Sequence, residues 1–159
     1  MVLKNTIFTV SSENGFGAKL SKICSEFIDG NTQTIIDLNS VSRDTEQISD
    51  LAINSDRLIF IMPEFNGSFP SSFKEAVDNL GWPNKLLEKP IFLIGYSGGF
   101  SGNITGINHM KTILNYIKAD VSRDHACFTY NGKTENIFNK EKSILIENIL
   151  KWNEKTKEL

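Results

Sequence analysis

The sequence predicts a three-layer α/β fold: a doubly wound sheet of five parallel strands in the order 2-1-3-4-5, with helices on both faces. Three observations carry this prediction. Short apolar runs alternate with amphipathic segments along the chain, the runs lean toward β-branched and aromatic residues, and glycine or proline punctuates the joints between them. At 159 residues the chain fits a single domain, 1–159, that buries its core without disulfides or a structural metal.

The elements follow in order. Residues 6–10 are the first expected strand; Phe16, Leu20, Ile23, Cys24 and Phe27 then recur at helical spacing, with Gly30 placed to end that helix. Residues 34–38 form the second strand, followed by a polar helix carrying Ile48, Leu51 and Ala52. The run 58–62 is the third strand, ending at Pro63. Ser72 with Glu75 three residues on has the capping-box pattern, Phe73, Ala76, Val77 and Leu80 mark a buried helical face, and Gly81 and Pro83 stop it. Residues 90–95 make the fourth strand, Ile104, Ile107, Leu114 and Ile117 outline the next helix, and 126–130 supply a fifth strand. The last helix shows Leu145, Ile149 and Trp152 on one face and runs into a Lys/Glu-rich tail expected to fray.

Composition narrows the function classes. A net charge of -2 with 40% apolar residues offers no basic stripe for nucleic acid and no sign of disorder. No apolar run approaches the roughly 20 residues that span a bilayer, and no secretory start is present, so a cytoplasmic location without membrane contact is expected. Cys24 and Cys127 are far apart and lack metal-ligand spacing; both read as small buried hydrophobes. His109 and His125 have no HExxH pattern or acidic partner at ligand spacing, so each reads as structural or solvent-facing and no metal site is expected.

In a sheet of this order, ligands bind outside the carboxyl ends of the strands near the switch point between strands one and three. Three loops there have unusual composition. The first, Ser11-Ser12-Glu13-Asn14-Gly15-Phe16-Gly17, puts small and hydroxyl residues where a strand turns into a helix. Unpaired amides and the helix dipole suit such a turn to a phosphate, with Ser11, Ser12 and Asn14 as contacts; Glu13 opposes that unless it points away. The same residues are also ordinary caps and turn formers.

The second loop, Pro63-Glu64-Phe65-Asn66-Gly67-Ser68-Phe69-Pro70, joins an apolar platform to main-chain donors, as a flat heteroaromatic ring requires, although Asn66-Gly67 is equally a turn signal. The third, Tyr96-Ser97-Gly98-Gly99-Phe100-Ser101-Gly102-Asn103, combines glycines with Tyr96 or Phe100 to lie against that ring. Its glycines follow the fourth strand without GxGxxG spacing, so they are no dinucleotide fingerprint.

The second loop, with Phe73-Lys74-Glu75-Ala76-Val77-Asp78 after it, resembles the PEYNxSxPxxLKNAIDW signature of NAD(P)H-dependent FMN reductases, a flavodoxin-like family, and Ser97-Gly98-Gly99 also agrees. The resemblance implies bound FMN that takes hydride from NADH or NADPH and reduces a small acceptor: free flavin, a quinone, an azo compound or a metal oxyanion. It implies that Pro63, Glu64, Phe65, Asn66 and Gly67 line the isoalloxazine and that Ser97, Gly98 and Gly99 approach its other edge. It further implies a homodimer or homotetramer, and no catalytic side chain beyond the flavin.

Phe65 stands where relatives carry Tyr, and the signature's Trp is replaced around Asn79 and Leu80. The family's first-loop pattern GSxRxxSxN brings an arginine; the loop here reads as shortened and has none. Losing one charge-assisted phosphate contact weakens binding by roughly 1.5–3 kcal/mol. A flavin-free interaction or regulatory protein on the same scaffold is the alternative.

Overall fold

A computed structural model of the chain describes residues 2–41, 44–130 and 135–157. Its elements run β1 (Lys4–Thr9), α1 (Phe16–Phe27), β2 (Asn31–Asp37), α2 (Leu38–Val41), α3 (Thr45–Asn54), β3 (Arg57–Pro63), α4 (Ser71–Asp78), β4 (Pro90–Ser97), α5 (Ile104–Tyr116), β5 (Asp120–Thr129) and α6 (Glu135–Lys155). The five strands pair in the order β2-β1-β3-β4-β5, all parallel, as expected.

Side chains alternate between two cores. Phe8, Phe60, Met62, Leu93 and Phe73 pack with α3, α4 and α5 on one face; Ile7, Ile59, Ile61, Phe92 and Ile94 pack with α1 and α6 on the other. The central strand β3 is buried from end to end, which is why its sequence reads as a continuous apolar run.

Several boundaries differ from expectation for local reasons. The second strand stops at Asp37, not Leu38, because the Asp37 carboxylate accepts from the Asn39 amide (3.1 Å) and Ser40 Oγ donates to the Asp37 carbonyl (2.7 Å), opening the extra turn α2. The capping box at Ser72 does not form. Helix α4 starts two residues earlier, capped by Pro70 without a side-chain bond, and Ser72 is buried inside it. Gly30 lies beyond the end of α1; its φ of +93° serves the turn into β2, where a Cβ would stand 2.2 Å from the Leu3 carbonyl oxygen. The fifth strand begins at Asp120, six residues before the apolar signal, because a sheet edge tolerates polar residues.

The expected fraying also fails up to Lys157. Thr156 is buried, and its hydroxyl accepts from Arg57 Nη1 at 2.7 Å. Cys24 is fully buried as expected, whereas Cys127 on the edge strand is only partly so. Among the described residues no helix is long and apolar enough to cross a membrane.

Candidate flavin site at the carboxyl edge of the sheet

Parallel pairing brings four strand ends to one edge. Thr9 lies opposite Ile61, Pro63 opposite Tyr96 and Ser97 opposite Thr129, so the carboxyl ends of β1, β3, β4 and β5 sit side by side.

The loop after β3 is a tight hairpin-like turn. Asn66 and Gly67 both have positive φ (51° and 77°), the Phe65 amide donates to the Ser68 carbonyl (2.8 Å), and the Ser68 amide donates back (3.1 Å). Asn-Gly is the pair such a turn prefers, so the turn signal and the site candidate are one feature. Phe65 is half exposed at its start. Above Gly67 the space is open: a Cβ there meets nothing within 4 Å.

Three contacts fix this turn from outside. The Glu64 amide donates to the Tyr96 carbonyl (2.8 Å), while the Glu64 carboxylate accepts from Ser101 Oγ (2.9 Å). Ser68 Oγ lies 2.9 Å from His109 Nδ1, which gives the exposed His109 a partner in the loop.

The loop after β4 carries Ser97, whose Oγ accepts from the Gly99 amide at 3.2 Å, and the exposed Gly98 and Gly99. Phe100 is fully exposed. Gly102 lies flat on β5, where a Cβ would meet the Phe128 nitrogen at 2.7 Å. Next to it Asn103 is fully buried with φ +65°. It caps α5 by accepting from the Gly106 amide (3.1 Å) and donates to the carbonyls of Met62 and Pro63. Asn103 is absent from the sequence-derived site, although an asparagine just before the periodic residues of a helix is a legible cap signal.

The loop after β1 folds onto itself. Ser11 Oγ accepts from the Ala18 amide (3.1 Å) and donates to the Ser12 carbonyl (3.0 Å), replacing the side-chain cap that Gly15 lacks. Ser12, Glu13 and Asn14 are exposed. Tyr96 is no ring platform. It turns beneath α1, packs against Phe16 (5.4 Å between centroids) and donates to the Val10 carbonyl at 3.0 Å. Burial pushes its hydroxyl up to about 12, against the opposing pull of Ser11 and the Gly17 backbone. Phe16 also stacks on Tyr130 at 4.6 Å, closing the wall toward β5.

The structure thus brings Pro63, Glu64, Phe65, Asn66 and Gly67 to one side of an open rim and Ser97, Gly98 and Gly99 beside them, with Ser11, Ser12 and Asn14 at the adjoining strand end. No group of three or more His, Cys, Asp or Glu among the described residues is arranged to hold a metal ion.

The model of the NADPH-dependent FMN reductase family matches residues 7–132, from the first strand past the last, taking in all these loops. The chain belongs to that family. Its fold is similar to that of the flavoenzyme NAD(P)H:(acceptor) oxidoreductase FerB from Paracoccus denitrificans, with a TM-score of 0.77 at 19% identity over 98% of this chain and 99% of that one. It is also similar to an azoreductase from Bacillus anthracis, with a TM-score of 0.70 at 12% identity over 94% and 99% of the two chains. In sequence it is 24% identical over 115 residues to the NADH:(hydroxy)cinnamate reductase subunit CrdA of Vibrio ruber, covering 72% of this chain. The chain spans a little over half, 57%, of the length of that curated relative.

Proposed function

We propose that this member of the NADPH-dependent FMN reductase family is an FMN-dependent NAD(P)H oxidoreductase that passes hydride from the nicotinamide to a small acceptor such as a free flavin, quinone, azo compound or metal oxyanion. The observation that carries this reading is the open, positive-φ turn at Asn66 and Gly67, next to half-exposed Phe65, which follows β3 while the Ser97–Gly99 turn follows its neighbour β4 at the same edge of the sheet. When bound, FMN supplies the two-electron chemistry. In this reading Pro63, Glu64, Phe65, Asn66 and Gly67 line one side of its ring system, and Ser97, Gly98 and Gly99 the other. Ser11, Ser12 and Asn14 border its tail.

The chain's own part is positional. Glu64 accepting from Ser101, and Asn103 donating to the Met62 and Pro63 carbonyls, hold the two ring-side loops at a set spacing before ligand arrives. Such preorganisation spares the cost of ordering loops on binding. No protein acid or base is required for hydride transfer between two stacked rings.

The proposal extends to a cytoplasmic homodimer or homotetramer. Fully exposed Phe100 and mostly exposed Trp82 and Tyr116 favour an assembly in which a second copy covers apolar surface. Adding FMN to the purified protein tests the main claim: a shifted flavin spectrum that bleaches anaerobically with NADH or NADPH supports it. A flavin that binds and never bleaches removes the reductase reading. A flavin-free interaction protein is the second reading, favoured by the closed loop after β1, and absence of flavin binding at micromolar FMN would select it.

A further inference from the structure

The turn after β3 is anchored at its ends and bare between them. Pro63 and Pro70 are buried and Phe69 packs partly against the core, which fixes where the chain leaves and rejoins the body. Phe65, Asn66 and Gly67 are exposed, and a Cβ on Gly67 would meet nothing within 4 Å, so packing does not set the orientation of the turn itself. The backbone pair between Phe65 and Ser68 closes the turn without aiming it.

One neighbouring segment, from Ser101 into the second turn of α5, reaches this loop at three points. Asn103 donates to the Met62 and Pro63 carbonyls ahead of the turn, Ser101 Oγ donates to the Glu64 carboxylate at its entry, and His109 Nδ1 lies 2.9 Å from Ser68 Oγ at its exit. For the stretch Phe65–Ser68 the His109 contact is the one side-chain hydrogen bond among the described residues. His109 reaches it from a fixed base: Ile107, Met110 and Leu114 on the same helix are fully buried, while His109 stands on the exposed side. The contact survives in either neutral tautomer, because Nδ1 can take the Ser68 hydroxyl proton or donate its own.

We propose that His109 is a positioning residue of the flavin site: through Ser68 it sets the orientation of the Phe65–Ser68 turn against α5, and with it the fit of that turn to the ring system. The inference rests on the flavin reading given above and adds to that site a residue from outside the three loops.

Substitution separates the contact from the imidazole. The amide of asparagine keeps a hydrogen-bonding atom where histidine has Nδ1, and alanine keeps none. The purified full chain and its His109→Ala, His109→Asn, Ser68→Ala and His109→Ala/Ser68→Ala variants, each shown folded by circular dichroism, are titrated with FMN and followed by flavin fluorescence and visible absorption. His109→Ala and Ser68→Ala should each weaken binding by about three- to tenfold and shift the bound-flavin spectrum, the double variant should be no worse than either single one, and His109→Asn should restore both readouts. Without flavin, amide exchange at Phe65 and Ser68 should quicken in His109→Ala. An unchanged dissociation constant and spectrum in His109→Ala, or additive losses in the double variant, would overturn the inference while leaving the flavin reading intact. A loss that His109→Asn fails to restore would overturn it equally, by assigning the imidazole a part that does not run through Ser68. Absence of flavin binding by the unmodified chain would remove both.

Discussion

Asn103 ties the loops after β3 and β4 together: its Nδ2 donates to the Met62 carbonyl at 3.1 Å and to the Pro63 carbonyl at 3.0 Å, while its Oδ1 accepts from the Gly106 amide. One fully buried side chain thus caps α5 and pins the carboxyl end of β3. Its φ of +65° is a conformation that asparagine tolerates better than most residues.

Replacing it separates the two jobs. Asn103→Asp keeps the cap acceptor but removes the donor and places a carboxylate against two carbonyls, whereas Asn103→Ala removes both. We expect Asn103→Ala to lose about 1 kcal/mol for the cap and roughly 1–3 kcal/mol for the stranded carbonyls in urea unfolding. Asn103→Asp should weaken flavin binding by more than its stability loss accounts for, measured as the dissociation constant in fully folded protein. Equal flavin affinity in both variants and the unmodified chain would show that the bridge does not shape the site.

Gly17 and Tyr96 should be coupled. Gly17→Ala puts a methyl 2.6 Å from Tyr96 Oη, which has to move and give up its bond to the Val10 carbonyl. An exposed helical Gly→Ala gains up to about 1 kcal/mol, but here we expect a net loss of about 1–3 kcal/mol. In a Tyr96→Phe background the loss should shrink, although Ser11 Cβ at 2.9 Å keeps it from vanishing. A double-mutant cycle in denaturant measures this, and additive effects would contradict the predicted contact.

At the opposite edge of the sheet, Arg57 is fully buried. Its Nε donates to Asn5 Oδ1 (2.9 Å), Nη1 to Thr156 Oγ1 (2.7 Å), and Nη2 to the Asp29 carbonyl, with the guanidinium 5.1 Å from the Trp152 ring. Burial lowers its pKa from the ordinary arginine value. Arg57→Met strands several acceptors at once, so a loss of about 3 kcal/mol or more is expected in chemical denaturation. Arg57→Lys should recover only part of it, lacking the planar fork. A change within about 0.5 kcal/mol for Arg57→Met would mean the network is surplus to stability.

His125 gives a pH dependence of definite sign. Burial, then the nearby Lys111 ammonium, whose Nζ lies 3.1 Å from His125 Nδ1, lowers the folded-state pKa below the ordinary 6.5. The unfolded chain therefore binds the proton more readily, so this contribution to stability is fully present above about pH 6.5 and is lost as pH falls toward the folded pKa. Unfolding free energies measured across that window should fall more steeply for the unmodified protein than for His125→Gln. Parallel curves would assign the slope to carboxylates instead.

Both cysteines should be slow toward thiol reagents at neutral pH. Burial pushes the Cys127 thiol up to about 11 and that of Cys24 higher still, so little thiolate is present. Rapid labelling of native protein would show that one of them opens to solvent.

The sequence by itself determined the five strands, the five longer helices and their order, the 2-1-3-4-5 sheet and the family, but not the short turn α2. Alternation of short strands with helical periodicities is a local signal, and crossover rules leave few topologies for it. The Asn66-Gly67 turn was legible for the same reason, since two adjacent residues set its geometry.

Tertiary structure alone decided which polar atoms stay open at the rim. That Tyr96 turns under α1 onto Val10, 86 positions away, that Asn103 bridges to Met62 and that Thr156 reaches Arg57 depend on strands and helices meeting across the fold. A serine-rich loop reads the same whether its hydroxyls face a ligand or one another. The direction of Ser11 Oγ is set by the helix amide it caps, a three-dimensional constraint that composition does not encode.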